Sequence, residues 1–200
     1  MTNKANNIMV NYIAMTLKKN MTARLRKSQS ILKQAFKQGV LTHVAIDLQA
    51  KYLSSRCNQE NHDVFEAVAK TSEFLRTAGV KTVWVAKTTS DKLTRSDKLY
   101  LVKPEKDEML FLKPEESACS NPDFTDYLTE HFKVALISGL TSYCCVKVTV
   151  EDLHARGIQP IIICDATDAP YRDRSSMEQF TKNKALYISQ KELTHQLGCK

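Results

Sequence analysis

The segment Val134–Gly157, VALISGLTSYCCVKVTVEDLHARG, decides how the rest of the chain is read. Its opening run, Val134-Ala135-Leu136-Ile137-Ser138, has the length and composition of a buried strand. Gly139 ends that run, and Thr141 and Ser142 are residue types that cap helices. The following stretch carries Cys144 and Cys145 and stops at Gly157, a normal helix exit. The order is therefore strand, tight turn, cysteine, helix. A thiol in the first turn of a helix meets unpaired backbone N–H groups and the positive dipole end, which favour thiolate and can hold an oxyanion. Buried cysteines also serve as small packing residues, so the turn alone leaves both roles open.

Working outward, short apolar runs alternate with amphipathic stretches from residue 43 to the end. Residues 43–47, 82–86, 109–112, 160–164 and 185–188 read as further strands. Residues 63–78, 123–132, 175–184 and 190–197 read as helices, with His62-Asp63 opening the first of them. Such alternation implies a three-layer α/β/α sandwich around a six-stranded, mostly parallel, Rossmann-like sheet. Ligands in such sheets sit beyond the carboxyl ends of the strands, near the point where strand order reverses. Asp47, Lys113 and Cys145 each lie just past a predicted strand, which places three chemically useful groups at one end of the sheet.

The +7 net charge is unevenly distributed. Of 29 Lys and Arg, eight fall in residues 1–46, where there is no acid, leaving 21 against 22 acids in the remainder. The basicity thus belongs to an N-terminal segment on a neutral body, which argues against a nucleic-acid face on that body. Val10, Ile13, Ala14, Leu17, Met21 and Leu25 recur at helical spacing, and Ile31, Leu32, Ala35 and Phe36 continue the stripe. Residues 1–40 are therefore expected to form a basic amphipathic helical extension, and residues 41–200 the main domain. That stripe can pack on the domain, meet a second subunit, face a membrane surface or acidic partner, or serve as an organelle-targeting peptide. The six cysteines show neither a disulfide framework nor a CxxC pair, and no apolar run approaches the ~20 residues of a membrane span. A cytoplasmic location is expected.

Three motifs in order carry a family resemblance: VAIDLQ (44–49), FLKPEESAC (111–119) and SGLTSYCCV (138–146). With them, residues 41–198 resemble the isochorismatase-like cysteine hydrolases, which include nicotinamidases and N-carbamoylsarcosine amidohydrolases. The resemblance implies a catalytic triad of Asp47, Lys113 and Cys145. It also implies a cis peptide at Leu140–Thr141 and an oxyanion hole made by the backbone N–H groups of Thr141 and Cys145. In this reading Lys113 lowers the thiol pKa, Asp47 takes the thiol proton, and Cys145 attacks an amide or carbamoyl carbon to give a thioester. Gln49, Tyr52, Trp84, Cys119 and Tyr143 are candidate substrate contacts. Tyr171, Arg172 and Arg174 are candidate rim or subunit contacts, and homo-oligomers are common in such proteins.

The pattern departs from metal-dependent relatives at Gln49, where those have His, and after the second strand, where Lys87-Thr88 follows instead of a His. His43, His131, His154 and His195 lack ligand spacing. No metal and no cofactor are expected, and no GxGxxG follows the first strand. The lysine-rich segment 88–107 reads as a lid. The competing reading is a retired hydrolase fold that binds partners through its basic extension.

Overall fold

In the computed structural model, residues 22–53, 58–88, 98–99, 101–102, 104–168 and 184–198 are described. Six strands form one sheet: β1 (Leu41–Ile46), β2 (Thr82–Lys87), β3 (Leu110–Lys113), β4 (Val134–Gly139), β5 (Gln159–Thr167) and β6 (Leu186–Ile188). Their order is β3-β2-β1-β4-β5-β6, and every neighbouring pair is parallel. Strand order reverses between β1 and β4, so the crevice between their carboxyl ends is the natural ligand position.

Five helices cover the sheet among the described residues: α1 (residues 22–37), α2 (Asn58–Thr77), α3 (Pro122–His131), α4 (Lys147–Ala155) and α5 (Gln190–Leu197). Alternating strand residues split the core in two. Ala45, Trp84, Leu136 and Ile161 pack with Leu32, Phe65 and Leu193 from α1, α2 and α5. Val44, Val85, Ile137 and Ile162 pack with Phe124 and Leu128 of α3 and with Val150 and Leu153 of α4. Both faces of every central strand are therefore apolar, as parallel sheets require.

Helix α1 buries Leu32 and Ala35, so this part of the apolar stripe lies on the domain. The stripe positions Val10, Ile13, Ala14, Leu17 and Met21 lie outside the described residues, as do Tyr171, Arg172, Arg174 and most of the 175–184 helix. Helix α2 starts at Asn58, five residues before Asp63, so His62 and Asp63 are helical rather than capping. No helix among the described residues is long and apolar enough to cross a membrane. A groove of about 500 Å³ opens between Phe36, Leu41, Val80, Tyr127 and Phe132, at the amino ends of the strands and away from the crevice.

Gly139 marks where β4 presses on β1. Its φ is +109°, and a Cβ there would overlap the backbone carbonyl of Ile46, its register partner. Neither strand can retreat without breaking the ladder. Gly139→Ala is expected to cost about 3 kcal/mol or more through strained φ and overpacking together. A denaturant midpoint equal to wild type would contradict this close approach.

Candidate active site

Asp47 immediately follows β1, and its N–H still donates to the Val85 carbonyl at 2.8 Å. Its φ is +58°, in the left-handed region that Asp tolerates better than most residues, and this turns the side chain off the strand line. Lys113 is the last residue of β3 rather than the first residue beyond it, and it is fully buried. Cys145 lies in a π-helical turn, Ser142–Val146, which links β4 to α4 and in which the Val146 N–H reaches back to the Thr141 carbonyl at 3.1 Å. Such π turns are often found at functional sites.

The three residues meet. Lys113 Nζ stands 3.0 Å from Asp47 Oδ2, and the Cys145 thiol is close enough to both for each to shift its titration. Lys113 also donates to the Glu116 carbonyl at 2.5 Å. Neither oxygen of Asp47 makes a well-aligned hydrogen bond among the described residues, and neither does the buried Ser142 hydroxyl. Asp47 Oδ2 still faces the Lys113 ammonium, which leaves Asp47 Oδ1 and the Ser142 hydroxyl as the buried polar atoms without a close partner among the described residues. Such atoms are nearly always satisfied, so the pair indicates room for an incoming polar group.

Protonation here corrects one expectation. The Cys145 thiol is pushed up to about 12, first by burial and then by the Asp47 carboxylate; Lys113 pulls it down but does not win. Burial also raises the Asp47 carboxyl, again against Lys113. The resting thiol is therefore protonated beside a carboxylate of enhanced basicity. Moving the proton from Sγ to Asp47 leaves one negative charge beside Lys113 either way, so the transfer creates no new buried charge.

Side chains outside these three residues hold this geometry. Asp168, just past the end of β5, accepts the Ser142 N–H at 2.5 Å and anchors the π turn that carries Cys145. Ser117 Oγ donates to Asp152 Oδ2 at 2.5 Å, and Ala118 N–H to Thr149 Oγ1 at 2.9 Å, which staples the segment after Lys113 onto α4. Asn121 donates to the Leu112 carbonyl at 2.8 Å while capping α3.

With this arrangement in view, the comparison with family sequences is decisive: the isochorismatase domain model matches residues 42–188. The chain belongs to the isochorismatase family. Among curated proteins, none matches this isochorismatase-family hydrolase domain in sequence. Solved structures share its fold. A cysteine hydrolase from Pseudomonas syringae pv. phaseolicola is 15% identical, with 80% of this chain and 92% of that one covered, at a TM-score of 0.69. The N-carbamoylsarcosine amidase of Thermoplasma acidophilum is 18% identical, covering 74% and 95%, at 0.64. The pyrazinamidase of Pyrococcus horikoshii, in complex with zinc, is 13% identical, covering 75% and 99%, at 0.63.

The zinc is a feature of that pyrazinamidase, and a comparable site would need several ligating side chains gathered at one point. Among the described residues no group of three or more His, Cys, Asp or Glu is placed to hold one. Gln49 is tied at both ends to Lys87, its Nε2 donating to the carbonyl at 3.0 Å and its Oε1 accepting the N–H at 2.8 Å. It thus clamps the exits of β1 and β2 together.

The other candidates divide. Tyr143 is exposed within the Ser142–Val146 turn, and Thr141 precedes that turn after a Leu140–Thr141 peptide that is cis. Cys119 is half-buried against the α3–α4 core, and burial raises its thiol. Tyr52 packs on the opposite core with Lys51 over its ring. Trp84 is not at the crevice surface: it is fully buried, and its indole N–H donates to Glu108 at 2.7 Å.

Proposed function

We propose that this domain is a cysteine hydrolase that cleaves the C–N bond of a small amide or carbamoyl compound through a thioester. The observation that carries this is the buried Lys113–Asp47 pair at 3.0 Å with the Cys145 thiol close to both. When substrate docks, Asp47 takes the thiol proton and Sγ attacks the carbonyl carbon, with Lys113 facing the sulfur during transfer. The N–H groups of Thr141 and Cys145 receive the developing oxyanion. Asp47 then returns its proton to the leaving nitrogen as the C–N bond breaks. Water, deprotonated by Asp47, hydrolyses the thioester and restores the thiol.

The raised Asp47 suits this work, because a general base is most effective with its pKa moved toward the operating pH. The test is a screen of amides, carbamoyl compounds and ureides for ammonia or amine release, with acid-quenched samples analysed by mass spectrometry. An acyl or carbamoyl adduct on the Cys145 peptide during turnover is the expected result. Turnover with no such adduct, or with undiminished rate in Cys145→Ala, would overturn the mechanism.

A further inference from the structure

Lys87 closes β2 as Lys113 closes β3, and the two are register partners. Partners on neighbouring strands direct their side chains to the same face. Lys87 extends the row Val83–Val85 and Lys113 follows Phe111, and that face packs on α3, α4 and Cys145. The two ammonium groups converge on one residue. Lys113 binds the Glu116 carbonyl at 2.5 Å, while Lys87 Nζ donates to the Glu116 carboxylate at 2.6 Å.

The lysines differ in what they are free to do. The Lys113 side chain is fully buried and committed to Asp47. The Lys87 side chain is 29% exposed, and its partner carboxylate belongs to a side chain 51% exposed. Lys51 Nζ donates to the Lys87 carbonyl at 2.7 Å, and its charge is felt at Asp47. Three cations, Lys51, Lys87 and Lys113, thus surround the crevice against the carboxylates of Asp47 and Glu116. Asp168 directs a carboxylate oxygen to the Ser142 N–H.

We propose that Lys87 is a specificity-determining residue that receives a carboxylate of the substrate, and that the Glu116 carboxylate occupies this position until the substrate displaces it. The proposal rests on the hydrolase reading and narrows it to carbamoyl or amide compounds with a carboxylate near the scissile bond. The exchange is electrostatically balanced, because Lys87 trades one carboxylate for another. The displaced Glu116 moves into water, giving up a partly exposed ion pair of small net worth. In support, the Lys87 ammonium is held above its usual range chiefly by Glu116, and the Cys145 sulfur lies near enough to add to this once it is a thiolate.

Alkylation of Cys145 by iodoacetate and by iodoacetamide tests this, because the reagents are near-isosteric and differ in the carboxylate. In each case Sγ displaces iodide, and labelling of the Cys145 peptide is read by mass spectrometry. Wild type is expected to prefer iodoacetate by about three- to fivefold over the ratio shown by free cysteine, the range of a partly exposed charge pair. Lys87→Gln should abolish that preference, Lys87→Arg should retain it, and Glu116→Gln should increase it. The same ratio in wild type and Lys87→Gln would overturn the Lys87 assignment while leaving Cys145 as nucleophile. Labelling is followed up to strongly alkaline pH, because the resting thiol is protonated near neutrality. Failure of both reagents to label Cys145 in every variant even there would overturn both readings.

Discussion

Asp47→Asn is expected to lower turnover by about 10²–10⁴-fold, the usual worth of a positioned general base, and to destabilise the fold by about 3–5 kcal/mol. The second effect follows from burial. Lys113 is fully buried and its carboxylate partner stands 3.0 Å away. Asparagine keeps the shape but removes the charge, so Lys113 must either lose its proton or remain an uncompensated buried cation. The double variant Asp47→Asn/Lys113→Met should recover part of the lost stability, since it removes the uncompensated buried cation while leaving a buried amide, and should remain inactive. A pH readout separates this from general damage. After burial, Asp47 is the largest cause of the raised Cys145 thiol. In Asp47→Asn, labelling of Cys145 should therefore titrate at lower pH than in wild type, even though turnover is lost. An Asp47→Asn protein as stable as wild type, with an unchanged labelling profile, would contradict the coupling of these groups.

The second large effect is acid sensitivity that arises inside the sheet. His43 is fully buried in β1, with Nδ1 3.1 Å from Thr82 Oγ1 and Nε2 2.7 Å from Ser138 Oγ, so it bridges β2 and β4. Burial lowers its pKa from 6.5 to about 3, assisted by Arg76 and opposed by Glu108. Because the folded pKa lies below the unfolded one, the unfolded chain binds the proton more readily. Stability is complete above pH 6.5 and falls as pH drops toward 3, at about 1.4 kcal/mol per unit for one proton. About 2 kcal/mol should be gone by pH 5. Below the ordinary glutamate range a second loss begins at Glu108, held at about 2. Burial alone would raise that group; Arg76, the Glu105 N–H and the Trp84 indole outweigh it. Denaturant midpoints at pH 7.5, 6 and 5 should show this slope in wild type but not in His43→Gln. The same slope in both proteins would remove His43 as its source.

Local patterns made much of this readable. The strand, turn and helix around Cys145 and the strand ending before Asp47 depend on short apolar runs and breakers, which act over a few residues. Lys113 lies one position inside its strand rather than beyond it, a normal displacement of element ends. What the chain did not disclose depends on register and burial. Asp165 reads as the end of β5, yet the strand runs to Thr167 because pairing with β4 shifts between Ile137 and Gly139. Asp165 is exposed and accepts the Gln190 N–H at 2.8 Å, while Asp168 reaches the turn that carries Cys145. His43 and Trp84 read as an isolated histidine and a possible substrate platform. Both are interior residues whose partners, Ser138 and Glu108, are 95 and 24 positions away. The expected low thiol pKa followed from counting Lys113 and the helix start. Burial and Asp47 reverse it, and neither can be counted along the chain.

The ties from Ser117 and Ala118 to α4 have a consequence for how this architecture can diversify. They join the arm bearing Lys113 to the helix that follows Cys145, so cation and sulfur move as one mechanical block. Loops anchored elsewhere can lengthen, shorten or be exchanged while that block keeps its alignment with Asp47. Selection acting on such loops would alter which molecule is admitted and leave the cutting machinery as it was.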